Sequence, residues 1–133
     1  MEYRVDNYLP KAFEAIKKVE IEGKRFCSDG SIIPKEYKGY VSSLGANIIQ
    51  AGVKAAITFY EAKETGSKSD RRLVNAAIKY ILTNNNSALT TYSEYNLTQL
   101  LSNLTDEEKQ QKALEILDAA TALKLALRTY IMK

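Results

Sequence analysis

Two acidic residues, Glu115 and Asp118, come closest in this sequence to a catalytic carboxylate pair. They stand three residues apart in a segment with helical periodicity, which places both side chains along one helix edge. Such a pair can act as general acid and general base, but acids at this spacing usually form a solvated edge. The chain contains no histidine, which excludes a Ser-His-Asp triad, an H-E-x-x-H zinc site and a Cys–His nucleophile pair with Cys27. We therefore predict that the protein is not an enzyme and needs no metal or cofactor, with an enzyme built on Glu115 and Asp118 as an alternative.

Basic residues offer a second kind of chemistry, because they can pair with phosphates. The net charge is only +3, but residues 1–80 carry 14 Lys or Arg against 10 Asp or Glu, whereas residues 81–133 carry 5 against 6. We expect Arg71 and Arg72 to be exposed in the first turn of a helix, where the helix dipole disfavours positive charge. This placement favours an anionic partner, although an ordinary solvated surface explains the charge equally well. The densest basic group is Lys17, Lys18, Lys24 and Arg25.

Composition predicts an all-α fold in one domain. The chain has 133 residues, of which 45% are hydrophobic, and only six are glycine and two proline. So little turn-forming sequence indicates a few long elements, and the length suits one helical-bundle domain over residues 1–133 with five to six helices. A single cysteine suits a reducing compartment. No run approaches the ~18 apolar residues of a membrane span, and the polar first ten residues do not resemble a signal peptide, so we expect a cytoplasmic protein without membrane contact.

The stretch from Tyr37 to Lys63 is predicted to be the element around which the bundle forms. One row of apolar residues at helical spacing ends in Ile48, Ala51, Ala55 and Phe59, and a second row runs Ile49, Val53, Ala56 or Ile57, and Tyr60. Two rows predict a helix that is buried on two sides. A glycine inside a helix costs about 1 kcal/mol relative to alanine, so Gly52 predicts a break or kink.

Other helix boundaries follow from capping signals. Asp6 or Asn7 is expected to cap a first helix that has Pro10 in its first turn and runs to about Ile21. Residues 23–33 are predicted to form a loop with a turn at residues 28–31. A helix is expected at about 70–83 and a short one at 97–103. The capping box at residues 105–108 predicts a last helix that continues to about Ile131, with a wide small-residue stripe that suits either the bundle centre or a subunit contact.

The segment Ile48 to Lys63, IIQAGVKAAITFYEAK, resembles a signature of one protein family. That signature, I-x-x-N-G-L followed by a phenylalanine and then a lysine four residues later, is found in the small all-helical subunit of the type III-B CRISPR RNA-silencing complex, the fifth Cmr protein. The chain departs from it at Ala51, where the family has Asn, at Val53, where it has Leu, and at Gly45, where a Pro often follows Leu. The layout of nearly the whole chain agrees with the family.

The resemblance implies a non-catalytic structural role in antiviral defence. Several copies of such a subunit stack as the minor filament of the effector, beside the backbone subunit and the large subunit, and line the groove that receives target RNA on the guide RNA. The subunit would contact the RNA backbone without reading sequence. We chose the contact set by charge clustering, and only Lys63 also matches the family motif. The predicted RNA-backbone contacts are Lys17, Lys18, Lys24, Arg25, Lys54, Lys63, Arg71 and Arg72. The alternative is a helical protein–protein adaptor or self-assembling bundle without nucleic acid.

Overall fold

Five α-helices make up most of the chain that the structure describes. The structure is a computed structural model, and it describes residues 4–21, 24–27, 32–61, 71–83, 97, 101 and 104–132. These helices are α1 (Arg4–Lys18), α2 (Glu36–Ala51), α3 (Val53–Tyr60), α4 (Arg72–Thr83) and α5 (Asp106–Leu127). They confirm the predicted all-α fold of five to six helices. The turn expected at 28–31 and most of the short helix expected at 97–103 lie outside the described residues.

Helix α5, rather than the Tyr37–Lys63 stretch, is the element that touches every other described helix. It packs most extensively on α1, then on α2 and α4, and it also contacts α3. Small residues let neighbouring helix backbones approach closely, and α5 buries four alanines while α1 buries two. The alanines are Ala119, Ala120, Ala122 and Ala126 on α5 and Ala12 and Ala15 on α1. The small-residue stripe therefore forms the centre of the bundle.

Gly52 separates α2 from α3, as predicted. Its φ of 95° and ψ of 155° lie in a region that residues with a Cβ rarely occupy. The amide of Gly52 still donates to the carbonyl of Ile48 at 3.0 Å, and the Gly52 carbonyl accepts from the amide of Ala56 at 3.1 Å. The break thus rotates the faces of α3 relative to those of α2, while helical backbone hydrogen bonds continue on both sides of Gly52.

Two side-chain hydrogen bonds fix α3 against its neighbours. The hydroxyl of Tyr60 donates to the carbonyl of Tyr40 on α2 at 2.6 Å. The amide Nδ2 of Asn75 on α4, which is fully buried, donates to the carbonyl of Ile57 at 3.1 Å. That carbonyl also accepts a hydrogen bond from the backbone amide of Glu61 at 3.1 Å, so Asn75 adds a second hydrogen bond that ties α4 to the end of α3.

Helix α1 begins earlier than predicted and runs through a proline. It starts at Arg4, so Pro10 is its seventh residue and not part of the first turn. Proline there removes the hydrogen bond that residue 10 would make to the carbonyl of Asp6. Packing of Val5, Tyr8 and Leu9 against the core offsets this cost and keeps the first turns helical.

Helix α5 begins with the capping box that the sequence predicted. The capping box is confirmed: the Glu108 amide donates to Thr105 Oγ1 at 3.2 Å, and the Thr105 amide donates to Glu108 Oε1 at 2.9 Å.

Helix α5 stops at Leu127, short of the predicted end, because a strand follows it. This strand, β2 (Ile131–Met132), pairs in parallel with β1 (Ile32–Ile33). Strand β1 lies within residues 23–33, which the sequence predicted to form a loop.

Candidate nucleic-acid interface

A basic cluster forms at the C-terminal end of α1, where the chain turns back on itself. After α1 ends, Ile21 and Lys24 exchange two backbone hydrogen bonds, at 3.0 and 2.8 Å. This tight turn returns the guanidinium of Arg25 to the helix end, where it donates to the carbonyl of Lys17. Lys17, Lys18 and Arg25 are exposed and Lys24 is half-buried. The turn therefore brings together the four residues that form the densest basic group in the sequence.

Two long ion pairs accompany this cluster without neutralising it. Lys18 Nζ lies 3.8 Å from Glu14 Oε1, and Arg25 Nε lies 3.8 Å from Glu20 Oε1. All four side chains are about half exposed, and exposed pairs of this kind contribute roughly 0–1 kcal/mol. A phosphate group could therefore replace either glutamate at little cost.

The remaining predicted RNA contacts differ in how far their side chains are exposed to solvent. Lys54 is exposed on α3, whereas Arg71 is half-buried, with its guanidinium carbon 4.4 Å from the centre of the Phe59 ring. The prediction that Arg72 is exposed is wrong, because only 4% of it is exposed. The reason is that the first half of α4 is enclosed on all sides, with every residue from 72 to 78 buried. Lys63 lies outside the described residues.

A shallow groove follows the break between α2 and α3. It has a volume of about 800 Å³, and its charged lining residues are Lys54 and Lys109, the latter from the first turns of α5. Phe59, which the sequence placed on the buried face, lines this groove and is 54% exposed. Sequence reasoning missed both Phe59 and Lys109 as surface groups. The groove is lined by Ala51, Gly52, Val53, Lys54, Ala55, Thr58, Phe59 and Lys109.

The two carboxylates of the enzyme alternative occupy separate ion pairs. Glu115 Oε1 accepts from Lys112 Nζ at 3.0 Å, and Asp118 Oδ2 lies 3.4 Å from Arg4 Nε. Each acid thus has its own basic partner. Among the described residues, no three acidic or cysteine side chains come close enough together to hold a metal ion. No helix in the described ranges is both long and apolar enough to cross a membrane.

Cys27 is a half-buried thiol with low reactivity. Burial raises the pKa of this thiol above its ordinary value, and the nearby positive charge of Arg25 only partly opposes the change. Because the thiolate is the nucleophilic form, a raised pKa leaves Cys27 mostly as the unreactive thiol near neutral pH. Burial, together with the neighbouring Cys27, also raises the pKa of Tyr130.

Comparison with protein families decides the affiliation of the chain. Residues 6–130 match the family of CRISPR-associated proteins designated Cas_Cmr5. The chain belongs to this family. The resemblance seen in residues 48–63 is therefore confirmed, and the match extends over nearly the whole sequence. Comparisons with curated proteins and with solved structures gave no match.

Membership in the Cas_Cmr5 family makes this protein a Cmr subunit, one component of a multi-protein CRISPR complex. A component of a multi-protein complex needs surfaces for other proteins. The described residues include the basic cluster at the end of α1 and large apolar side chains that remain exposed on three helices. The exposed apolar residues are Ile49, Phe59, Leu114 and Leu125.

Proposed function

We propose that this protein is the non-catalytic small subunit of a cytoplasmic type III-B Cmr effector. Several copies stack as the minor filament beside the backbone and large subunits, and each copy contacts the phosphate backbone of target RNA paired with the guide. Base pairing between the two RNAs supplies sequence specificity, and the small subunit supplies position and charge. Family membership supports the complex, and the exposed basic end of α1 supports the RNA contact.

The observation that carries the RNA contact is the convergence of Lys17, Lys18 and Arg25 on one exposed helix end. A set of solvent-facing cations binds phosphates without reading bases, as this role requires. Lys24 and Lys54 extend the proposed set, and Lys63 stays in it from the sequence motif. Arg71 contributes through its position beside Phe59. Arg72 is excluded, because it would have to leave the core to reach a phosphate.

The test is the salt dependence of target-RNA binding by the reconstituted Cmr complex. A variant with Lys17→Gln, Lys18→Gln and Arg25→Gln removes three proposed contacts. The slope of log affinity against log salt should then become shallower by about 2–3 for each copy of the subunit that contacts the RNA, since each contact contributes roughly 0.7–0.9. The matched control replaces three other exposed basic residues, Lys35, Lys38 and Arg128, with glutamine.

The outcomes separate the proposal from its alternative. A shallower slope in the first variant and an unchanged slope in the control support RNA-backbone contact at the end of α1. Equal slopes in wild type and both variants contradict it. If the first variant assembles less readily into the complex, but the assembled complex binds RNA with unchanged affinity and salt slope, an adaptor role is favoured, for which the exposed apolar side chains would supply contacts.

A further inference from the structure

The exposed ring of Phe59 is the feature of the groove that the proposed function does not yet use. More than half of this side chain, 54%, faces solvent, although it stands in a helix whose other large residues, Ile57 and Tyr60, are buried. Exposed aromatic rings serve proteins that bind single-stranded nucleic acid as stacking surfaces, because every base has a π-face. The inference below rests on the proposed function, since it takes RNA as the partner.

Neighbouring side chains hold this ring in a defined orientation. The Arg71 guanidinium carbon lies 4.4 Å from the Phe59 ring centre, within the range of a favourable cation–π contact. The Tyr60 ring packs edge-on against Phe59, with ring centres 6.0 Å apart. Tyr60 is itself fixed by its hydrogen bond to the Tyr40 carbonyl at 2.6 Å. The ring is thus oriented before a ligand arrives, which reduces the entropy lost on binding.

The charges around the ring suit a phosphate. Lys54 and Lys109 line the same groove as Phe59, and none of its described lining residues is acidic. The volume of about 800 Å³ lies within the range of small-molecule sites, roughly 300–1,000 Å³. An acidic peptide would pair its carboxylates with the two lysines and would need a further apolar or aromatic side chain for the ring, whereas a single nucleotide carries both a phosphate and a flat base.

We propose that the groove at the α2–α3 break binds an unpaired RNA nucleotide, whose base stacks on Phe59 and whose phosphate is held by Lys54 and Lys109. The base occupies the ring surface that Arg71 leaves open. The site accepts any base, because stacking on a phenylalanine carries no hydrogen-bond code. This adds a base-stacking contact to the backbone contacts of the proposed function.

The experiment compares the free, full-length chain and its variants on two single-stranded oligonucleotides. One is a uridine oligomer, and the other has the same number of phosphates but lacks bases at all positions. Affinity is measured by fluorescence anisotropy, and circular dichroism checks that each variant folds. Phe59→Leu keeps an apolar side chain but removes the ring. Leu114→Ala is the matched control, because Leu114 is also 54% exposed and does not line the groove.

The expected result is that Phe59→Leu weakens binding of the uridine oligomer about tenfold and leaves binding of the abasic oligomer unchanged. Leu114→Ala should change neither. The double variant Lys54→Gln, Lys109→Gln should weaken binding of both oligomers and make the salt dependence shallower, and the double variant Lys35→Gln, Lys38→Gln is the charge-matched control.

Three results would overturn the inference. Equal uridine binding by wild type and Phe59→Leu removes the stacking contact. Failure of the free chain to bind either oligomer removes the site, while the proposed function is still judged separately in the assembled complex. Altered sedimentation of Phe59→Leu without altered RNA binding assigns the groove to a second copy of the chain.

Discussion

Replacing Gly52 with alanine should destabilise this protein through its backbone alone. Gly52 has φ 95° and ψ 155°, a conformation that is strained for any residue with a Cβ. An added Cβ would meet no atom within 4 Å, so steric collision contributes nothing to the expected effect. The substitution therefore isolates the conformational cost of the break between α2 and α3.

The magnitude follows from two opposing contributions to the free energy of unfolding. Holding alanine in a sparsely populated backbone region costs about 1–3 kcal/mol. Restricting the unfolded chain returns about 0.4–1 kcal/mol. We therefore expect Gly52→Ala to lower the stability by about 1–2 kcal/mol, which corresponds to a fall in Tm of about 3–8 °C for a chain of this size.

Two other glycines provide controls with the opposite sign. Gly39 and Gly45 both lie inside α2. A Cβ at Gly39 would meet nothing within 4 Å, and a Cβ at Gly45 would make an ordinary contact with Leu117 at 3.7 Å. Because alanine is favoured over glycine in a helix by about 0.8–1.0 kcal/mol, both substitutions should raise the stability by up to that amount.

Urea and thermal unfolding of the three variants, followed by circular dichroism, provide the measurement. The reasoning holds if Gly52→Ala is less stable than wild type and the other two are equal or more stable. It is refuted if Gly52→Ala is neutral or stabilising, because α2 and α3 could then join as one continuous helix. Such a helix would also change which face of α3 is buried and would alter the exposure of Phe59.

The remaining predictions concern hydrogen bonds at three places, namely the capping box of α5, Tyr60 and Asn75. Thr105→Ala should cost about 1 kcal/mol in urea unfolding by removing the cap of α5. Hydrogen bonding from Thr105 lowers the pKa of Glu108 from its ordinary value of 4.5, so its stabilisation is present above that pH and is lost as pH falls through the folded value; an acid titration should show the stability gap between wild type and Glu108→Gln closing below pH 4.5, and a gap that persists there would contradict this. Tyr60→Phe should cost about 0.5–1.5 kcal/mol through loss of the bond to the Tyr40 carbonyl. Burial raises the pKa of Tyr60 above its ordinary value of 10.0, so the folded state favours the neutral phenol. The stability that this neutral phenol contributes should be lost as pH rises through the folded pKa, and an absorbance titration should show Tyr60 ionising above pH 10. Asn75→Ala should cost about 0.5–1.5 kcal/mol in urea unfolding, because it removes a buried hydrogen bond but leaves the Ile57 carbonyl with the Glu61 amide; a stabilised variant would show that the buried, unpartnered Oδ1 of Asn75 costs more than this bond contributes.

The Tyr37–Lys63 stretch shows how far sequence reasoning reached. Periodicity and Gly52 predicted two helical pieces with a break between them, and both are present. The prediction that both apolar rows are buried was wrong, because each helix buries only one of them. Helix α2 buries the first row through Ile48 and exposes Ile49 of the second row, whereas α3 buries Ala56, Ile57 and Tyr60 of the second row and exposes Ala55 and Phe59 of the first. Periodicity alone could not show which row is buried on each side of the break, because the rotation between α2 and α3 depends on the φ and ψ of Gly52.

The prediction that Arg72 is exposed was wrong for a related physical reason. A basic pair in a first turn is normally exposed, but α4 is surrounded by other helices, and enclosure of a helix depends on tertiary packing that its own residues do not encode. The basic cluster at the end of α1 was predictable, because the turn that assembles it involves residues close in sequence. The strand pair β1–β2 joins residues about a hundred positions apart and carries only two residues a strand, so no local pattern indicates it.

The most direct test of the central claim is a gentle affinity purification of this protein from its native host, with mass spectrometry of the proteins and sequencing of the RNA that accompany it. A small subunit of a Cmr effector should recover the backbone and large subunits together with short guide RNAs that share a 5′ tag. Recovery of the chain alone, or with unrelated proteins and no RNA, would contradict the proposed function.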